Sequence, residues 1–279
     1  MLKRILYLLK GLIKQLYWLK KCPCCFGKGT QVDRKFCYIL MCCQNCGVMY
    51  RYPGETRKRM VKFYQESYKQ RGLTTDLPDD AELTELLGIN FKETSKDFSR
   101  FIQIIKGLNI PRNAKILDYG ANWGYAVSQL KKEGYDAIGF EISKSRAEFG
   151  RKLGVNIATS LDEIETGYDI VISCHVLEHT HNPCDILKEQ AKLIKSGGYL
   201  IGAVPNGEES RMRYDFNAYH KSWGEVHPFL LTKKMLDWAF PKNRKIISTR
   251  LEDLSMIKGS KPTIDTLSGP ELFFIISIG

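Results

Sequence analysis

The stretch Lys115-Ile-Leu-Asp-Tyr-Gly-Ala-Asn-Trp-Gly-Tyr125 decides the fold. The apolar pair Ile116 and Leu117 meets Asp118, then Gly120, then Gly124, and an amphipathic segment follows. That order reads as a strand entering a helix through a tight turn, whose glycines let backbone approach a ligand. The next strand, Ala137-Ile-Gly-Phe140, ends at Glu141, twenty-one residues beyond Gly120. A carboxylate about 20 residues past a glycine-rich strand–helix turn is placed to accept hydrogen bonds from ribose hydroxyls. A ribose-bearing ligand is therefore expected here.

The rest of the body repeats that unit. Strands are expected at 116–119, 137–140, 155–158, 170–174 and 199–204, with helices at 126–133, 144–153 and 185–194 between them. Such alternation builds a parallel sheet with helices on both faces, and its ligands bind beyond the carboxyl ends of the strands. A helix at 232–240 and strands at 245–250 and 271–278 follow, the last two separated by a non-helical stretch and so expected as an antiparallel edge pair. The fold class is α/β, a Rossmann-like sheet of seven mostly parallel strands.

A dinucleotide site needs bare backbone two residues after the first glycine, and Asn122 stands there. Asp118 instead brings a carboxylate to the turn, which suits a cationic ligand. Two further stretches carry chemistry. Asp169-Ile-Val-Ile-Ser-Cys-His-Val-Leu-Glu-His-Thr-His-Asn-Pro183 is a strand running into a polar exit and a helix-opening proline, and Ser196-Gly-Gly-Tyr-Leu-Ile-Gly-Ala-Val-Pro-Asn206 is a turn entering the fifth strand. In these three motifs, over about 109–240, the chain resembles the class I S-adenosylmethionine-dependent methyltransferases. The resemblance implies that Asp118, Gly120, Asn122, Gly124 and His175 line the site of S-adenosylmethionine and that Glu141 holds its ribose. Asn122 departs from the family's usual glycine.

All five histidines fall between His175 and His227, at strand ends and in the loop after the fifth strand, where an acceptor would approach. Methyl transfer is an in-line displacement at a sulfonium, so the protein must align the acceptor, exclude water and remove a proton. His179 or His175 is the expected base, with Glu178 orienting one of them; the same element can equally brace the cofactor loop. His175, Glu178 and His179 with a later histidine could also hold a divalent ion. Tyr219, His220, Trp223 and His227 lie in an aromatic segment expected to close over the site and bind substrate, since indole and phenol faces pack on sugar rings.

The amino-terminal part is different in kind. The net charge of +11 is concentrated there: residues 1–71 hold sixteen Lys/Arg against three Asp/Glu. An anionic surface nearby, membrane or nucleic acid, is the expected partner. Residues 1–21 read as an amphipathic helix, with Leu2, Ile5, Leu6, Leu9, Leu12, Ile13 and Leu16 on one side and Lys3, Arg4, Lys10 and Lys14 on the other. Such a helix suits an anionic membrane interface, or packs on its own domain or a dimer partner. Charges recur too often for a span, and no cleavage site follows, so a cytoplasmic protein is expected, peripheral at the inner face of the membrane in one reading.

Seven of nine cysteines lie between Cys22 and Cys46. Cys22-Pro-Cys-Cys25 and Cys43-Gln-Asn-Cys46, seventeen residues apart, match a four-thiolate zinc site, with Cys24 and Cys42 leaving the register open by one. Closed four-cysteine sites are structural. Cysteine-rich modules of this kind also begin several methyltransferases of bacterial sugar and polysaccharide pathways, so the resemblance implies a sugar or glycan-pathway acceptor methylated on oxygen. An RNA methyltransferase gripping its substrate through the basic module is the alternative, and a non-catalytic zinc-dependent scaffold a third. The expected organisation is a helix at 1–21, a zinc module at 22–53, a linker with cap helices at 54–110 and the methyltransferase domain at 111–279; nothing in the sequence bears on the oligomer.

Overall fold

The computed structural model describes residues 2–16, 18–66, 76–254 and 265–279. In chain order come α1 (Leu2–Gln15), β1 (Gly29–Lys35), β2 (Tyr38–Cys43), β3 (Met49–Tyr52), α2 (Arg57–Glu66), α3 (Asp80–Gly88) and α4 (Ser99–Gly107). Then follow β4 (Lys115–Tyr119), α5 (Tyr125–Lys132), β5 (Asp136–Phe140), α6 (Lys144–Lys152), β6 (Ile157–Ala158), β7 (Tyr168–Cys174), α7 (Pro183–Leu193) and β8 (Ile194–Pro205). The chain closes with α8 (Glu209–Tyr214), α9 (Phe216–Ser222), β9 (Phe229–Leu230), α10 (Lys233–Ala239), β10 (Lys245–Ser248), α11 (Leu251–Leu254) and β11 (Glu271–Ser277).

Seven strands form one sheet in the order β10-β11-β8-β7-β4-β5-β6, parallel from β8 to β6 and antiparallel where β11 joins β8 and β10 joins β11. The expected Rossmann-like sheet and its antiparallel edge are both present. Ile116, Leu117, Ile170, Val171, Ile172, Leu200 and Ile201 are fully buried, as the apolar runs of strands covered on both faces require. The chain order reverses between the neighbouring strands β4 and β7, and ligands of such sheets bind beyond the carboxyl ends of the strands at this switch point.

Strands β1, β2 and β3 form an antiparallel meander whose fourth strand, β9, comes from the segment after β8 and pairs Met49 with Leu230 and Tyr50 with Phe229. The amino-terminal sheet is thus completed by a strand from the segment between β8 and α10, outside 22–53.

The first helix stops at Gln15, short of the expected Lys21, and it lies on this sheet by an unexpected face. Gly11 sits against Cys37 and Tyr38, where any side chain would collide, and Tyr7 stacks on Tyr38 at 4.5 Å. Lys14 is buried, donating to Glu55 Oε1 at 2.6 Å and to the Gly54 carbonyl at 3.2 Å. The leucine-rich side faces outward: Leu9, Leu12, Ile13 and Leu16 are all exposed. No helix among the described residues is long and apolar enough to cross a membrane.

Helix α3, within the expected cap region but without bounds of its own in the sequence reading, is capped by Asp79, whose side chain accepts from Glu82 N. It buries Leu86 beside Phe91 and Trp123, so the cap region packs directly onto the turn after β4.

Candidate functional site

Asp118 is the penultimate residue of β4 and Glu141 the first residue beyond β5, and both are buried. Directly after β4 the chain makes a turn with several left-handed residues. Gly120 has φ +94°, Asn122 +53° and Gly124 +83°. Asn122 is explained by this geometry: the position demands positive φ, and asparagine tolerates it better than other side chains. Its backbone N–H donates to Glu141 Oε2 at 2.9 Å, while Ser143 N–H donates to Oε1 at 2.8 Å. Each carboxylate oxygen keeps a second lone pair, so Glu141 braces the turn and can still accept two ribose hydroxyls.

The glycines serve packing more than ligand approach. A Cβ on Gly120 would lie 2.3 Å from Val176 Cγ2, and one on Gly124 2.6 Å from Val155 Cγ1. Gly120 therefore lets the loop after β7 close onto the turn after β4, across the switch point. At Gly124 the space a Cβ would need is filled by Val155 and Ile157, on the β6 side of the sheet.

The electrostatics are those of a cation site. Burial, and then the neighbouring Glu141 charge, raise the Asp118 pKa to about 7. Burial likewise raises that of Glu141. Two carboxyls held in low dielectric beside each other are costly until a positive ligand arrives. An α-ammonium or sulfonium group near Asp118 and a ribose at Glu141 match this pair in both charge and hydrogen bonding, so the residues fit S-adenosylmethionine.

His175 follows β7 with φ +52°, a conformation uncommon for a side-chain-bearing residue. Its Nδ1 is 3.1 Å from Glu178 Oε1 and its Nε2 3.0 Å from Glu271 Oε1. Burial opposes its protonation, but the two carboxylates outweigh that and raise the pKa to about 10. With its pKa raised and both nitrogens engaged by carboxylates, His175 is less suited than His179 to the expected role of base. Glu271 could not have been found from the sequence, because no local pattern links the first residue of the last strand to the β7 exit.

His179 is the opposite case. Burial drops its pKa to about 4. Its Nδ1 bonds the Val226 carbonyl at 3.0 Å, so Nδ1 carries the proton and Nε2 the lone pair. His227 stands beside it with ring centroids 4.7 Å apart, its own Nδ1 2.9 Å from the Ser222 carbonyl. Glu178, fully buried, lies within reach of both rings.

The remaining expected substrate residues lie elsewhere. Tyr219 and Trp223 are 1% and 2% exposed and pack with Tyr38, Leu40 and Leu230. Trp223 Nε1 and His220 Nδ1 both bond Asp33 Oδ2 at 2.7 Å. Their rings fasten the lid to the amino-terminal sheet and offer no free platform for a sugar. Asn206, at the Pro-Asn exit, donates to the carbonyls of Leu267 and Gly269 and so pins the approach to β11.

At the cysteine module, one sulfur each from Cys22, Cys25, Cys43 and Cys46 gather within 4.8 Å of one another. Cys22 Sγ lies 3.6 Å from Cys46 Sγ, and Cys25 Sγ 3.4 Å from Cys43 Sγ. A disulfide would need about 2.0 Å, whereas zinc–sulfur bonds of about 2.3 Å in a tetrahedron place sulfurs about 3.8 Å apart. The four that gather are those of the expected register: Cys24, though it lies beside Cys22 and Cys46, is not one of them and bonds Asn182 Oδ1 at 3.3 Å, and Cys42 is outside the cluster. These four thiols fit a structural zinc ion.

Residues 91–248 match the family model described as a methyltransferase domain. The chain belongs to that methyltransferase-domain family. The match covers the cofactor turn, the β7 exit and the lid, leaving the cysteine module outside. The methyltransferase domain is similar to the ubiquinone biosynthesis O-methyltransferases of Aliivibrio fischeri (strain ATCC 700601 / ES114; 25% identical over 118 residues, 38% of this chain and 50% of that one) and Proteus mirabilis (24% over 147 residues, 46% and 60%). The chain thus spans about half the length of the curated relatives it matches. Among solved structures, the plantazolicin methyltransferase BamL with a triazolic desmethylPZN analog and SAH superposes with a TM-score of 0.54 at 12% identity, over 78% of this chain and 94% of that one. Its counterpart BpumL, with a monoazolic analog and SAH, gives 0.53 at 13%, over 80% and 95%. The methyltransferase fold is common to all three.

Proposed function

We propose that the chain binds S-adenosylmethionine at the Asp118–Glu141 turn and transfers its methyl group to an oxygen of a small polar acceptor. The observation that carries this reading is the pair of buried carboxyl groups at the ends of β4 and β5, whose pKa values burial raises. Their placement supports a ligand that is cationic at one end and carries a ribose at the other. S-adenosylmethionine supplies an electrophilic methyl on a sulfonium; this chain orients it through Asp118 and Glu141 and brings the acceptor in from the β7 and lid side. The O-methyltransferase names of the curated relatives support oxygen as the methylated atom. A sugar or glycan-pathway intermediate is the proposed acceptor, on the strength of the amino-terminal cysteine module, which holds one structural zinc ion in this reading.

The outward-facing leucines of α1 support a peripheral membrane site. Leu9 and Leu12 of the helix are 49% and 53% exposed, Leu16 and Leu19 just beyond it 86% and 71%, and the surrounding region carries most of the net positive charge. An apolar ridge with lysines about it suits an anionic bilayer surface.

Calorimetry with S-adenosylmethionine on wild type and Asp118→Ala tests the proposal. Binding that the substitution abolishes supports it; a folded, zinc-loaded wild type that does not bind leaves only a scaffold role. Methyl incorporation that falls steeply with salt and requires RNA would replace the glycan acceptor by a nucleic acid.

A further inference from the structure

We infer that Glu178, His179 and His227 form a second metal site, distinct from the cysteine cluster, that takes a first-row divalent cation and leaves coordination positions open on the acceptor side. One ligand atom from each residue lies within 4.8 Å of the other two. His179 Nε2 is 3.9 Å from Glu178 Oε1.

The second layer around these residues is that of a metal centre. The Nδ1 of His179 is engaged by the Val226 carbonyl at 3.0 Å, and the Nδ1 of His227 by the Ser222 carbonyl at 2.9 Å. A carbonyl accepts only from N–H, so on each ring Nε2, not Nδ1, is the nitrogen that would bind a metal. Metal-bound histidines are typically oriented in this way, with the other ring nitrogen donating to a backbone carbonyl or carboxylate. Glu178 is fully buried, and its Oε2 has no hydrogen-bond partner. A buried carboxylate oxygen without a partner is a substantial unmet cost that a cation would remove. His175 is excluded from the ligand set, because Glu178 and Glu271 occupy both its nitrogens; it serves to hold the Glu178 carboxylate in place.

Two imidazoles and one carboxylate suit zinc and its first-row neighbours, and three protein ligands leave room for an exogenous oxygen. The ion would sit between the β7 exit and the lid, the two elements through which an acceptor enters. Its further role rests on the methyl-transfer reading above: bound to the acceptor hydroxyl, it would lower that group's pKa. The hydroxyl proton leaves to solvent, the oxygen forms a bond to the methyl carbon, and the carbon–sulfur bond breaks with its electron pair going to sulfur. No histidine need then act as a strong base.

The test is a cobalt(II) titration of the full chain with its cysteine site already filled with zinc, followed by calorimetry and visible absorption without methyl donor. The expected result is one equivalent bound with nitrogen–oxygen ligand-field bands and no sulfur charge-transfer band. Affinity should fall at least tenfold in Glu178→Gln and in His227→Ala, each checked for an unchanged melting temperature. Because a variant could fail to fold, nitrogen-15 imidazole spectra of wild type with zinc are the second reading; Nε2 of His179 and His227 should shift, and Nδ1 of neither should. Absence of sulfur-free cobalt binding in folded wild type, or unshifted imidazoles, would overturn the site and show a purely hydrogen-bonded Glu–His cluster. That failure would leave the methyl-transfer reading to its own calorimetric test.

Discussion

The indole nitrogen of Trp223 donates to Asp33 Oδ2 at 2.7 Å, in a contact buried on both sides. A lid residue and a residue of the first strand are thereby joined by a charge-assisted hydrogen bond, and His220 shares the same oxygen at 2.7 Å. Replacing Asp33 by alanine strands a buried indole N–H. The expected cost is about 1–3 kcal/mol of unfolding free energy, measured by denaturant titration, with Asp33→Asn recovering part of it. An unchanged midpoint in Asp33→Ala would show that the fastening carries no energy.

The turn after β4 is expected to tolerate change unequally. Gly120→Ala combines a φ of +94° with a methyl 2.3 Å from Val176 Cγ2, and it should lose stability and S-adenosylmethionine binding together. Adding Val176→Ala should recover only the steric part, so the two effects will not sum. Asn122→Gly keeps the left-handed backbone and should leave binding within a fewfold of wild type, read by the same calorimetry.

The raised pKa of Asp118, about 7, sets a direction for pH dependence. A cationic ligand prefers the ionised carboxylate, so binding below pH 7 must release a proton. Affinity for S-adenosylmethionine should rise with pH, by up to about tenfold per unit, and level off once the carboxyl is ionised. In the unliganded protein the sign is reversed: the folded pKa lies above the unfolded one, so this group's contribution to stability is lost as pH rises from its ordinary value through about 7. Heats measured in two buffers of different ionisation enthalpy count the proton, and Asp118→Asn should abolish its release.

Chelation should reach farther than the cysteines. Thr232 Oγ1 donates to the Gly47 carbonyl at 3.0 Å, and β9 pairs with β3 directly beyond the second cysteine pair. Removing zinc, or Cys46→Ser, should therefore raise hydrogen exchange both in β3 and around Phe229–Leu230. Exchange confined to the cysteine loops would mean that the sheet stands without the ion.

The exposed face of α1 yields a sedimentation experiment. Wild type should pellet with vesicles rich in anionic lipid and not with neutral ones, and Leu12→Ser with Leu16→Ser should reduce that by about tenfold or more. Equal pelleting by the double variant would sink the membrane reading.

The sheet was legible because its signals are local. Runs such as Ile170-Val-Ile172 and their intervening helices repeat at a fixed pitch, and Asp118 and Glu141 stand at strand ends that this pitch locates. Long-range pairings were not. Glu271 meets His175 only because β11 inserts beside β8, and Trp223 is buried only because β9 joins the other sheet. For α1, the periodicity gave two faces but no rule for which is covered. A cluster of Tyr7, Gly11 and Lys14 fits the sheet better than leucines do, since Gly11 permits close approach and Lys14 finds Glu55. Helix α3 had no bounds of its own in the sequence because its one buried residue, Leu86, leaves almost no periodic pattern to read.

Strand β9 has a consequence for how the protein is made. The amino-terminal sheet is missing its last strand until residues 229–230 have left the ribosome, long after β1, β2 and β3. The cysteines emerge first and wait, reduced and available to metal, for a strand encoded well downstream of them. Transplanting residues 22–53 onto another enzyme would carry an open sheet edge with it; a graft that works must bring the lid as well.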